Sequence, residues 1–87
     1  MNTEQRIRVS KAKDDLLTKM YHARFKKTLG GYEMWCQLTR WYASFEYQEM
    51  YNYIKSLSGT GGKTRNECLK CLEIIMEDDN HGQTQEE

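Results

Sequence analysis

The sequence predicts a small all-α domain of three helices, an αα-hairpin followed by a third helix, with an acidic C-terminal tail left disordered. Three observations lead there. The chain has no proline, and its six glycines fall only at positions 30–31, 59–62 and 82. The segments between those glycines repeat their apolar residues with helical spacing. No run alternates apolar and polar residues as a half-buried strand would. Eighty-seven residues make one domain with a modest core. Leu, Ile, Val and Phe number fourteen, few for a globular chain, but aromatics reach 11% and the net charge is zero. A folded domain with an aromatic core fits those figures better than disorder does.

The first helix is expected over residues 3–29, with Thr3 or Ser10 able to cap it. Val9, Ala12, Leu16, Met20 and Ala23 form its inward stripe, widened by Leu17 and Tyr21. Arg8, Lys11, Lys19 and Lys26 collect with His22 on the flank, diluted by Asp14 and Asp15. Such a flank is ordinarily a solvated face. It also supplies the residues of an alternative function, contact with nucleic acid or with an acidic partner. Gly30-Gly31 ends the helix, the first glycine suiting a left-handed closing residue. An antiparallel hairpin would then pack Trp35, Leu38 and Tyr42 on Met20, Leu16 and Val9. A helix-turn-helix reader shares this outline, but its second helix must offer polar groups to bases. Here that helix is dominated by aromatics.

The central helix is expected as one rod over residues 32–57, about 39 Å long. Both tryptophans and five of the six tyrosines lie in it. On a helical wheel, Met34, Trp35, Leu38, Trp41, Tyr42 and Phe45 share one sector, while Tyr47, Met50, Tyr51, Ile54 and Leu57 share another. Either the helix breaks near Phe45 or one rod buries two faces. The stretch Phe45-Glu46-Tyr47-Gln48-Glu49 contains no breaker, which favours the rod. The second face then needs a neighbour that this short chain lacks. Tyr47, Met50, Tyr51 and Ile54 are therefore the expected partner-binding residues, and the chain is expected to self-associate through this helix as a homodimer or to dock on a larger protein.

Gly62-Lys63-Thr64 resembles the end of a Walker A phosphate loop. The full pattern requires glycine where this chain has Leu57, and a strand before the loop. The glycine-rich segment 59–62 reads better as a linker. Thr64 and Glu67 form a capping box for a third helix over residues 64–77. Cys68, Leu69, Leu72, Ile75 and Met76 make its inward stripe, with Cys71 at the edge. Glu77-Asp78-Asp79 opposes the negative end of the helix dipole, so fraying is expected there and disorder over residues 80–87.

Three cysteines are an odd number without framework spacing, so no disulfide scaffold is expected. Cys68 and Cys71 stand as C-x-x-C, but only Cys36, His22 and His81 remain to complete a zinc site. Gap-filling beneath the aromatic helix is the simpler role, and no metal or other cofactor is expected. No secretory leader or membrane span is evident, since the longest aliphatic run is Ile74-Ile75-Met76. A cytoplasmic location is expected. Charge is graded along the chain: residues 1–30 hold eight Lys/Arg against three Asp/Glu, and residues 63–87 three against seven. The two ends can attract each other within one chain or between chains.

No nucleophile elbow or acid–base constellation is present, so neither catalysis nor a small-molecule substrate is expected. The expected function is that of a non-catalytic protein-binding module: a small regulator, adaptor or inhibitor. In length and composition the chain resembles accessory proteins of phages and plasmids, inhibitors of host defence among them, though no motif carries that likeness.

Overall fold

A computed structural model describes residues 3–57 and 62–86 of the chain, with side chains described for 3–57 and 62–77. Within them the protein is all-α. Four helices follow in order: α1 (Thr3–Lys26), α2 (Tyr32–Ala43), α3 (Tyr47–Ser56) and α4 (Gly62–Glu86). The glycine-rich segment largely falls outside the described residues, so its expected linker role does too. The backbone of α4 is helical to Glu86, and the expected disorder over residues 80–87 lies beyond the described side chains.

The central rod is two helices, which corrects the expectation of one. α2 ends in a Schellman turn. Phe45 takes a left-handed conformation, φ 60°. Its N–H donates to the Tyr42 carbonyl at 3.2 Å, and the Glu46 N–H donates to the Trp41 carbonyl at 2.8 Å. That 6→1 and 5→2 pair closes a helix end, usually with glycine in the left-handed place. A bulky residue there costs about 1–2 kcal/mol. Its ring contacts offset part of that: Phe45 lies edge-on to Tyr47, with centroids 6.3 Å apart. The Lys13 ammonium sits 5.9 Å from the Phe45 ring centre and 5.8 Å from that of Tyr47. The break re-aims α3, so the two apolar sectors of the wheel converge on one interior.

The end of α1 follows the same rule. It stops at Lys26, not at residue 29. Lys27 is the left-handed residue, φ 57°, and the Thr28 N–H donates to the Ala23 carbonyl at 3.2 Å. Leu29 then turns into the core, 4% exposed, and Gly30 at φ 110° redirects the chain into α2. The glycine serves the turn rather than the helix cap.

α1 packs most extensively on α4, α3 next on α4, and α2 on α3, whereas α1 and α2 touch least. The expected αα-hairpin is therefore not the backbone of the fold. α1 and α4 run antiparallel, since Arg8 meets Glu77 at 3.7 Å and Lys19 pairs with Glu67. These bridges join the basic beginning of the chain to its acidic end within one molecule. α4 begins at Gly62, two residues before the expected cap at Thr64. The Glu67 carboxylate that a capping box would use is engaged by Lys19 instead.

The core gathers Ala12, Leu16, Met20 and Ala23 from α1, Leu29 from the turn, and Leu38 from α2. Tyr47, Met50 and Ile54 come from α3, and Cys68, Cys71, Leu72 and Ile75 from α4. The inward stripe expected for α1 is thus the one observed, with Val9 half-buried at its edge. Aromatic pairs knit α2 to α3. Trp41 and Tyr53 have centroids 6.4 Å apart, and Tyr42 meets Tyr47 edge-on at 5.9 Å.

Candidate functional site

The residues expected to bind a partner are mostly internal. Tyr47 is 4% exposed, Met50 is fully buried, and Ile54 is 1% exposed. The turn at Phe45 rotates them onto α4, so they need no second molecule. Tyr51 is half-buried at their border, its hydroxyl donating to a Glu73 carboxylate oxygen at 3.3 Å. The basic flank is divided as well. Arg8 and Lys19 are committed to Glu77 and Glu67, while Lys11 and Lys26 stay exposed.

A different surface is left uncovered where the end of α1 faces the start of α2. Phe25 is 79% exposed, Tyr32 72% and Tyr21 51%. Trp35, half-buried, lies between the helices. Its ring centre is 5.1 Å from that of Tyr21 at a tilt of 53°. The Arg24 guanidinium sits over Trp35 at 5.2 Å and over Phe25 at 5.9 Å. Such cation–ring contacts are worth about 0.5–1 kcal/mol at exposed sites.

Local folding creates this corner in steps. The left-handed Lys27 ends α1 one turn after Ala23, leaving Arg24 and Phe25 beyond the last core contact. Leu29 anchors the turn, and Gly30 starts α2 back alongside α1. Because α1 and α2 approach loosely, large rings fill the gap and remain partly wet. The Tyr32 hydroxyl is paired with the Cys36 thiol, and that contact pushes the phenol above its ordinary pKa.

The corner is a face, not a pocket. The void beneath it, bounded by Met20, Leu29, Gly30 and Trp35, has a volume of about 10 Å³, room for one water molecule at most. A broader depression of about 450 Å³ beside Ile7, Ser10, Lys11 and Asp14 is shallow and open.

The cysteines of the C-x-x-C pair point inward. Burial, reinforced by the neighbouring Cys71, pushes the Cys68 thiol up to about 12. Burial raises Cys71 as well. Both are poor thiolates at neutral pH. Among the described residues no three His, Cys, Asp or Glu side chains stand close enough to share a metal ion. His81, the remaining candidate ligand, lies outside the described side chains. No helix among the described residues is long and apolar enough to cross a membrane.

Tyr21, Arg24, Phe25 and Tyr32 escaped the reading of the sequence. Helical spacing places Tyr21 at the widened edge of the inward stripe and Phe25 on neither face. A signal was available: between Asp15 and Glu33 the chain carries no acid, but it does carry Lys19, His22, Arg24, Lys26 and Lys27 among aromatic residues. No family model, curated protein or solved structure matches the chain.

Proposed function

We propose that this protein is an intracellular, non-catalytic protein-binding module, a small regulator, adaptor or inhibitor, and that it docks through Tyr21, Arg24, Phe25, Tyr32 and Trp35. The observation that carries the reading is the exposure of Phe25 and Tyr32 beside a half-buried Trp35 capped by Arg24. Trp, Tyr and Arg are the residues that dominate binding energy at protein contacts. Apolar rings left in water beside one another mark an interaction face more often than scattered single residues do. A flat face without a deep cavity suits a macromolecule rather than a metabolite.

Duplex nucleic acid is less well supported. Phosphate tracking needs a run of free cations, and the pairing of Arg8 and Lys19 with Glu77 and Glu67 interrupts it. Self-association through α3 also loses its basis, because Tyr47, Met50 and Ile54 already have neighbours.

The test is affinity capture from the native cell with wild type and a Phe25→Ser/Tyr32→Ser double variant of unchanged melting temperature, both treated with nuclease. A protein retained by the wild type and lost by the variant is the expected result. Equal retention by both, or release by nuclease, defeats the reading.

A further inference from the structure

We infer that the partner surface taken by this corner is acidic, presenting carboxylates to Arg24 around an apolar side chain that packs on Phe25 and Trp35. The inference rests on the docking role just proposed and adds the chemistry of the occupant.

Charge decides between occupants. From Leu16 to Tyr32 the sequence has four Lys/Arg and no Asp or Glu. Of these, Lys19 is neutralised by Glu67 on the α4 side. Arg24, Lys26 and Lys27 remain at the corner, exposed, and no carboxylate pairs with Arg24 among the described residues. The guanidinium lies over two rings, 5.2 Å from the centre of Trp35 and 5.9 Å from that of Phe25, contacts that narrow the placements of its planar fork before a ligand arrives. An ordered guanidinium loses less freedom on binding and suits the two oxygens of a carboxylate.

The same charges argue against a second copy. A two-fold contact across this corner would set the cluster of Arg24, Lys26 and Lys27 against the same basic cluster of the other copy. Like charges facing each other across an interface are unfavourable. Glu33, exposed in the first turn of α2, sets one carboxylate beside the three cations Arg24, Lys26 and Lys27, so the corner stays net positive and the occupant brings the negative charge. Aromatic rings beside cations also fit single-stranded nucleic acid. An isolated ring-held guanidinium flanked by two lysines, in a chain of zero net charge, fits a carboxylate-bearing protein surface better.

Three probes test this on the full chain: a synthetic peptide of repeated Asp-Glu-Asp-Phe, its neutral twin of repeated Asn-Gln-Asn-Phe, and oligothymidylate. The readout is the indole N–H signal of Trp35 in ¹H–¹⁵N spectra, with that of Trp41 as an internal reference. The acidic peptide is expected to move the Trp35 signal, leave Trp41 in place, and bind about tenfold more tightly than its neutral twin. Added salt should narrow that gap. Arg24→Gln should remove most of it, and Arg24→Lys should restore only part. Equal binding of the two peptides overturns the acidic partner while leaving the docking face intact. Tighter binding of oligothymidylate at Trp35 overturns both. No response of Trp35 to the acidic peptide overturns the inference, and the comparison of peptides is independent of how any variant folds.

Discussion

The Tyr53 hydroxyl donates to the Leu29 carbonyl at 2.9 Å, crossing directly over Gly30. A Cβ at Gly30 would stand 2.7 Å from that hydroxyl oxygen and 2.9 Å from the Cβ of Met34. The residue also sits at φ 110°, where side chains are strained. Gly30→Ala should therefore destabilise by about 1–3 kcal/mol. Tyr53→Phe removes one half-buried hydrogen bond and should cost about 1 kcal/mol. Combined, the two should cost less than their sum, because removing the hydroxyl relieves one clash of the added methyl group. Denaturant unfolding of the four proteins checks the cycle.

At Phe45 the preference between alanine and glycine should invert. Inside a helix, glycine is worse than alanine by about 1 kcal/mol. In the left-handed place of a Schellman turn, glycine is the better residue. Phe45→Gly should thus be more stable than Phe45→Ala by about 1 kcal/mol, although both lose the ring contacts with Tyr47 and Lys13. Chemical denaturation of the two variants decides it. The opposite order would mean that the chain stays helical through this point.

Much of α1 is legible because its stripe from Val9 to Ala23 has one period and one main neighbour, α4. The break at Phe45 is not, since its turn uses no glycine, proline or asparagine. The sideways jump of the apolar sector between Phe45 and Tyr47 was the correct warning. An unbroken rod would have left half its apolar surface without a neighbour in so short a chain. On a continuous rod, the wheel makes core residues such as Met50 and Ile54 look like a surface. The exposed rings of Phe25 and Tyr32 are hard to read for the converse reason. Phe25 and Tyr32 lie beside chain turns, where periodicity no longer says which way a side chain faces.

Alkylation should distinguish the three cysteines. Cys36 is half-buried beside Tyr32, whereas Cys68 and Cys71 are buried. At neutral pH in the folded protein, Cys36 is expected to react first, and the other two only on unfolding. Mass spectrometry of timed samples reads the order. The raised Cys68 thiol also sets a pH dependence. Unfolded, it loses its proton near 9.0; folded, it keeps it up to about 12. Stability must then fall as pH rises through that window, by about 1.4 kcal/mol per pH unit from this group. Cys68→Ala should flatten that slope, though it leaves a small cavity beneath α1.

The Lys19–Glu67 pair should act at the two ends of the pH scale. The hydrogen bond from Lys19 holds the Glu67 carboxyl below its ordinary range. The same bond raises Lys19. The glutamate's contribution is present above the unfolded carboxylate pKa and is lost as pH falls through the lower folded value. The lysine's contribution is present below the unfolded lysine pKa and is lost as pH rises through the higher folded value. Glu67→Gln should therefore show its full deficit near neutrality and converge with wild type in acid. The effect should be small and should shrink in salt, because the pair is open to solvent. Melting curves across pH and ionic strength measure it.

Substitution of aromatic and aliphatic residues should separate interior from exposed face. Phe25 is 79% exposed and Tyr32 72%, so Phe25→Ser and Tyr32→Ser remove little packing from the folded chain. Each should change stability by no more than about 0.5 kcal/mol. Ile54 is 1% exposed, and Ile54→Ala should cost about 2–5 kcal/mol through lost burial and the cavity left behind. Tyr47→Ala should cost about 3–5 kcal/mol, since the ring spans Tyr42, Phe45 and the interior. A chain whose α3 residues faced a second molecule would show the reverse at low concentration. Tyr47 and Ile54 variants would then match the wild-type monomer in stability and differ only in association. Equilibrium unfolding at several protein concentrations, with sedimentation on the same samples, distinguishes the two arrangements.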